Sequence, residues 1–456
     1  MSEVVVLGSG RSQARAGSRR RRSFLGQMAV ITVAVVLTLV ACSLLLALAD
    51  WLKDSLFPAL QLPPIPAWIS ATFFAYLSFY LIAILFPFWL FLGWRLLKYP
   101  RRYDNAGALP LVTIVIPAYN EQNTIAKSIR SALDQDYPNF EIIVVDDGSH
   151  DFTPFTVESE VIRFIPLRRN RGKAAALNAG VDQAKGEIIV FSDSDSRLDR
   201  NALRYLVERF QDPGVGAVAG KVCVTNCNTL LECWQHLEYV LAQTVMKLAQ
   251  SSGGGSVTVC PGPVCAVRRT LLLEMGGYKD RTLVEDFDAT LELFAQGSRT
   301  VYEPRAVAWT NVPRRWRVLG AQRTRWYRGN LQIFTWHRQL FFKPGSGRLG
   351  MFWLPYTLFF GFGGVLLELL LLASFPVLLY FSGAPGPLLL LGLIFLVLIE
   401  SLVALQYLTA LALERDLRPR LILAALINKP YHVYLAWIRL VAMFREFKKM
   451  EATWNG

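Results

Sequence analysis

The sequence predicts an α/β domain with a mainly parallel sheet, inserted between transmembrane helices and followed by amphipathic helices at the membrane surface. Three observations carry this expectation. Of 456 residues, 53% are hydrophobic and only 18% charged, against about 45–50% and about 25% in an ordinary soluble protein. The apolar excess is gathered into long runs near both ends of the chain. Between those runs, short β-branched stretches alternate with segments of helical periodicity, the pattern of a sheet covered by helices. With 23 Pro, 32 Gly and no low-complexity tract, the composition excludes a disordered chain.

Leu25 to Ala49 carries no charge and is long enough to cross a hydrocarbon core of about 30 Å. The arm before it has Arg11, Arg15, Arg19, Arg20, Arg21 and Arg22 against Glu3, which places that end on the cytoplasmic side. Ala47-Leu48-Ala49 resembles a signal-peptide cleavage site, but the apolar run exceeds an h-region of about 7–15 residues. A second, aromatic-rich stretch from Trp68 to Leu97 is interrupted by Pro87 and closed by Arg95, Lys98, Arg101 and Arg102, returning the chain to the cytoplasm. Apolar runs resume at Met351 to Phe381 and Leu388 to Leu413, separated by an uncharged turn at 382–387. The last segment, Leu421 to Phe444, is broken by Asn428-Lys429-Pro430 and His432; it is either a poor fifth span or an interfacial helix. Glu368 and Glu400 fall inside the C-terminal spans. Intramembrane carboxylates face a cavity or a partner, so these two line a polar path for glycan or meet other helices.

In the central region, Leu111 to Pro117 is a buried parallel strand by composition. Glu121 to Gln135 has Ile125, Ile129, Ala132 and Leu133 at helical spacing. Strands follow at 141–149 and 161–167, a helix at 172–184, and a fourth strand at 187–196. Parallel sheets bind ligands at the carboxyl ends of their strands, and the polar residues fall there: Tyr119-Asn120-Glu121, Asp146-Asp147, Arg171-Gly172-Lys173 and Asp193-Ser194-Asp195. No glycine-rich nucleotide loop occupies these turns. Phosphates would therefore be held by a metal and basic side chains, a task that suits the D-x-D at 193–195. Of the 6 Cys, only Cys223 and Cys227 have knuckle-like spacing, so reduced structural thiols are expected rather than a zinc site.

The motifs PAYNE (117–121), VDDGS (145–149), RGKAAALN (171–178), DSD (193–195), VCPGPVCAVRR (259–269), VEDFD (284–288), YEPRA (302–306) and QRTRW (322–326) occur in this order. Together they resemble the processive, inverting family 2 glycosyltransferases, the group of chitin, hyaluronan and poly-N-acetylglucosamine synthases. That resemblance implies a GT-A type catalytic domain over 108–312. It is flanked by the basic arm and two spans (1–107), interfacial helices with QRTRW (313–350) and two or three C-terminal spans or interfacial helices (351–456). By the same resemblance Tyr119 and Asp147 hold uracil with Glu121 beside them, and Lys173 reaches the diphosphate. Asp193 lies near the ribose, and Asp195 binds Mg2+ or Mn2+. Asp286 is the general base, with Val284 standing where the family has a hydroxyl residue. Gln322, Arg323, Arg325 and Trp326 complete the site: the arginines neutralise a UDP leaving group and Trp326 stacks an acceptor sugar.

From Glu303 to Arg348 ten basic residues face one acid, interleaved with Trp309, Trp316, Trp326, Tyr327 and Trp336. This stretch supplies most of the net charge of +13. Such interleaving also suits single-stranded nucleic acid, but its place just before an apolar span favours an anionic membrane surface, and no nucleic-acid partner is expected. The expected partners are a UDP-sugar, foremost UDP-N-acetylglucosamine, a glycan or lipid acceptor, membrane lipids, and an accessory subunit or a second copy. The expected place is the plasma (inner) membrane, with the catalytic domain in the cytosol.

Overall fold

In a computed structural model of the chain, residues 109–153, 162–251, 255–381 and 385–449 are described, with scattered positions between 36 and 87. The basic arm and the spans expected at Leu25–Ala49 and Trp68–Leu97 lie outside the described residues, those scattered positions aside.

β1 (Val112–Ala118) is buried along its whole length, as a continuous rather than alternating apolar run requires. It pairs in parallel with β2 (Phe140–Asp146) and β4 (Ile188–Phe191), and β2 with β3 (Ile162–Pro166). The crossovers are α1 (Ile125–Leu133) and α2 (Lys173–Gln183). Successive strand residues serve opposite faces: Ile114, Ile116, Ile142 and Val144 pack with α1, whereas Val115, Ile143 and Val145 pack with Leu177 and Val181 of α2.

The sheet extends further than the four predicted strands. β5 (Arg197–Leu198), β6 (Val215–Val224), β7 (Cys265–Arg268) and β8 (Arg299–Thr310) complete eight strands in the order β3-β2-β1-β4-β7-β6-β8-β5. β7 is antiparallel to both β4 and β6, while β6 and β8 are parallel. At four residues β7 is too short to display a period, and it hides within the VCPGPVCAVRR motif. Helices α3 (Ala202–Glu208), α4 (Leu230–Leu241), α5 (Lys247–Ser251), α6 (Arg269–Glu274), α7 (Glu285–Ala295) and α8 (Trp316–Trp336) fill the connections.

A capping box starts α4: the Thr229 side chain accepts from Glu232 N–H, and Glu232 accepts from Thr229 N–H, satisfying donors that the first turn leaves open. The turn also brings Cys227 against Cys233, which are joined in a disulfide with Cα atoms 4.9 Å apart. This corrects the expectation of reduced thiols at those two positions; Cys223, Cys260 and Cys265 are free.

The chain then forms a helical run through α9 (Leu354–Leu358) and α10 (Gly364–Phe381), joined by π-turns, and next α11 (Pro385–Glu414). Leu349–Leu370 and Gly392–Glu414 are long and apolar enough to cross a membrane, with mean hydropathies of 1.5 and 2.0. Leu366, Leu370, Leu393, Leu396, Val397 and Leu405 are exposed on them, a surface suited to lipid and a liability in water. α12 (Pro419–Leu426) and α13 (Lys429–Phe447) meet at 60°, so the predicted fifth segment is a bent pair. The break falls where Asn428 and Pro430 interrupt the apolar pattern. Lys429 Nζ lies 3.5 Å from Glu368 Oε1 and 3.2 Å from Glu400 Oε1. Both carboxylates thus meet a neighbouring helix, and Glu368 also lines a cavity of about 200 Å³ with His432 and Arg439.

Candidate active site

The carboxyl end of β4 and the starts of α2 and α7 open onto one cavity of about 440 Å³, roofed by α8. Eight of the eleven residues singled out from sequence line it: Lys173, Asp193, Asp195, Asp286, Gln322, Arg323, Arg325 and Trp326. Tyr119, Glu121 and Asp147 lie beside it at the neighbouring strand ends and are not part of its lining.

Lys173 opens α2, where its Nζ sits 2.6 Å from Asp193 Oδ1 and 3.4 Å from Glu285 Oε1. It therefore ties the D-x-D turn to the start of α7. Burial alone would lower its pKa, but Asp193 and Glu285 hold the ammonium well above its ordinary range. Asp147, 3% exposed, accepts from Arg171 N–H (2.8 Å) and Gly172 N–H (2.9 Å). Its contribution in this structure is to hold the loop that delivers Lys173. Glu121 accepts from Thr124 Oγ1 at 2.5 Å, and its pKa is raised, chiefly by burial. Tyr119 meets His150 edge-on.

Asp195 accepts from Ser196 Oγ at 3.0 Å. Burial, then the charge of Asp193, pushes its carboxyl up to about 6. Burial and the neighbouring Asp193 charge disfavour an uncompensated charge on Asp195, and a divalent cation would relieve it, so the donor set fits Mg2+ or Mn2+. Gly262 of the CPGP loop closes over this pair: a Cβ there would lie 2.8 Å from Lys173 Nζ and 2.9 Å from Asp193 Oδ1.

Asp286 is the second residue of α7, and its Oδ1 accepts from Phe287 N–H at 2.8 Å. No side chain caps this helix at Val284. The valine packs instead: a Cβ at Gly329 of α8 would meet its Cγ2 at 2.7 Å, so α7 and α8 approach through a missing side chain. Burial and then Glu285 push the Asp286 carboxyl up to about 6, against the pull of Lys173. The Phe287 N–H at the helix start also pulls it down but is outweighed, and at neutral pH the group remains mainly ionised. On the expectation that Asp286 serves as the base, kcat/KM with metal saturating should fall about tenfold per pH unit below about 6. A pH profile of UDP release checks this; a flat acid limb would remove Asp286 as the group that must ionise.

Arg323 is buried, donates to Glu238 Oε2 at 3.0 Å and lies 4.2 Å over the Trp326 ring. Tyr431 of α13 donates to the same Glu238 oxygen at 2.5 Å. Arg323, expected at the leaving group, lines the cavity while paired with Glu238 and stacked over Trp326. Glu238 was missed because a lone glutamate on an amphipathic helix carries no signal, and Glu285 because only its neighbour was singled out.

Asp288, Glu292 and His337 form a second cluster whose ligand atoms could surround a metal. Arg281 already occupies it, donating to Asp288 twice at 2.8 Å and to Glu292 at 2.8 Å, while His337 Nε2 lies 2.6 Å from Asp288 Oδ1. Burial would raise the Asp288 pKa, but the bonds from His337 and Arg281 hold it below the ordinary range. The guanidinium supplies the cation, so the cluster reads as a clamp between α7 and α8.

The model of glycosyl transferase family 2 matches residues 113–276. A probable glycosyltransferase of Bacillus subtilis, YdaM, is 32% identical over 287 residues, covering 59% of this chain and 67% of that protein. A poly-β-1,6-N-acetyl-D-glucosamine synthase of Staphylococcus aureus is 32% identical over 234 residues, 50% of this chain and 57% of the synthase. The match thus spans little more than half of that relative's length. A mannosyltransferase from Pyrobaculum calidifontis, solved in complex with GDP-Man and Mn2+, superposes with a TM-score of 0.60 at 23% identity, covering 84% of this chain and 99% of that one; this likeness concerns the fold.

Proposed function

The chain belongs to the family 2 glycosyltransferases, and on that premise we propose that it is a membrane-embedded inverting β-glycosyltransferase that elongates and exports a polysaccharide. UDP-N-acetylglucosamine is its most suitable donor. One observation carries the reading: Asp286, the Lys173–Asp193 pair, Asp195 and Gln322, Arg323, Arg325 and Trp326 line a single cavity, and the roof of that cavity, α8, is followed after residues 337–348 by a candidate membrane span. The poly-β-1,6-N-acetyl-D-glucosamine synthase among its relatives supports the choice of sugar and of a polymeric product.

In the proposed reaction, uracil rests against Tyr119 and Asp147 with Glu121 beside it, while Asp193 meets the ribose. Lys173 and Arg325 balance the diphosphate, and Asp195 holds Mg2+ or Mn2+. When bound, the cation supplies Lewis-acid stabilisation of the departing UDP. Asp286 takes the proton from an acceptor hydroxyl as that oxygen attacks the anomeric carbon from the face opposite UDP. The bond to UDP breaks, the new glycosidic bond forms with inverted configuration, and the proton stays on the Asp286 carboxyl. Trp326, oriented by Arg323 and Glu238, presents a flat face to the acceptor sugar. On this reading the enzyme sits in the plasma (inner) membrane with its catalytic domain in the cytosol, the domain spans 108–312, and 313–350 forms the interfacial belt.

Product size tests the proposal. The purified protein in lipid nanodiscs, given radiolabelled UDP-N-acetylglucosamine and Mn2+, is expected to yield a ladder or high polymer retained in the aqueous phase. A single organic-soluble glycolipid would instead establish one-step transfer to a lipid and overturn the polymerase reading.

A further inference from the structure

The wall of the catalytic cavity opposite the aspartates contains polar groups that the reaction above does not use. Helix α4 passes into α5 through a π-turn at Ala242–Met246, an irregularity that recurs at functional sites because it re-aims side chains. It places Gln243 and Lys247, four residues apart, on one side of the helix, and both line the cavity that also holds Asp286 and Trp326. Gln243 is 7% exposed, and its Oε1 has no hydrogen-bond partner among the described residues. Lys247 Nζ likewise has none; its nearest support is the Tyr302 ring, 5.5 Å away. Burial pulls its pKa down to about 8, against the smaller opposing influence of Cys260 and of the Asp286 charge. Buried polar groups are overwhelmingly paired, and leaving one unpaired is costly. Here one orphan acceptor and one orphan donor lie four residues apart along one stretch of helix and line the same cavity.

We propose that Gln243 and Lys247 form a subsite for the acetamido group of the acceptor sugar, with the amide N–H donating to Gln243 Oε1 and Lys247 Nζ donating to the amide carbonyl oxygen. The matching rests on valence. A secondary amide offers one donor and one acceptor held at fixed separation, the complement of this pair, whereas a free amine or a hydroxyl at the same carbon lacks the carbonyl. The subsite deepens the N-acetylglucosamine reading and rests on it: it makes the enzyme select its acceptor, and therefore the growing end of its own product, by N-acetylation.

The test uses the full chain in nanodiscs with UDP-N-acetylglucosamine, Mn2+ and two acceptors: a short N-acetylglucosamine oligosaccharide and its de-N-acetylated counterpart. Wild-type protein is expected to prefer the acetylated acceptor. Lys247→Met and Gln243→Leu are expected to raise KM for that acceptor by about ten- to a hundredfold, and to leave KM for the de-N-acetylated acceptor and for the donor within about twofold. The preference should thus collapse towards one. UDP affinity measured by calorimetry verifies in the same preparations that the site is folded. Equal weakening toward both acceptors, a rise in donor KM, or lost UDP binding in both variants would overturn the subsite while leaving the donor assignment standing. Wild-type protein that releases no UDP from UDP-N-acetylglucosamine with either acceptor would instead overturn the donor assignment, and the subsite with it.

Discussion

Asp286→Asn is expected to lower turnover by about 10²- to 10⁴-fold, the usual contribution of a positioned general base. Asparagine keeps the size of the side chain and an oxygen able to accept from Phe287 N–H, the contact that Asp286 makes at 2.8 Å. It cannot take the acceptor's proton. The fold should not suffer, and the sign can be worked out. The Asp286 carboxyl titrates at about 6 in the folded chain, above its ordinary value, because burial and Glu285 disfavour its charge. A carboxylate with a raised folded pKa costs stability at neutral pH, so removing its charge should leave the melting temperature unchanged or raise it. UDP release measured with saturating donor, beside a thermal melt, therefore separates loss of the base from loss of structure. Near wild-type turnover in this variant would strip Asp286 of its role.

Removing divalent metal is expected to have an effect of the same order, a loss of about 10²-fold or more, because a cation at the D-x-D would contribute several kcal/mol to stabilising the leaving diphosphate. Chelation should abolish UDP release, and Mn2+ or Mg2+ should restore it. Asp195→Asn should raise the metal concentration needed for half-maximal rate while sparing the Lys173–Asp193 pair at 2.6 Å. The reason lies in charge balance. Lys173 already serves Asp193 and Glu285, so Asp195, pushed up to about 6 by burial and by Asp193, is the carboxylate left to a metal. Full activity in chelator would show that the two aspartates work without one and would return Asp195 to a structural role.

Much of this site is legible in the sequence, for identifiable reasons. A strand buried on both faces leaves a continuous β-branched run, so β1, β2 and β4 can be located from composition. Because parallel strands deliver their carboxyl ends to one edge, the polar residues of Lys173's loop and of the D-x-D turn group together from the sequence alone. β7 escaped notice because four residues display no period. The pairing of Arg323 with Glu238, which also accepts from Tyr431, joins residues distant in sequence and leaves no trace in the motif.

The class of the molecule is written in the chain: apolar runs around an α/β domain, the D-x-D, the acidic triplet at 284–286 and the basic aromatic belt before a span. These are local properties of composition and spacing, and each survives reading one segment at a time. The tertiary structure alone decided how charges are shared: Lys173 between Asp193 and Glu285, Glu238 on Arg323, Arg281 filling the Asp288 cluster, Lys429 between Glu368 and Glu400. It also left Gln243 Oε1 and Lys247 Nζ, both lining the cavity, without a hydrogen-bond partner among the described residues. Electrostatic pairing depends on distances of a few ångströms between residues far apart in the chain, and those distances are set by packing, of which a sequence read in segments holds no record.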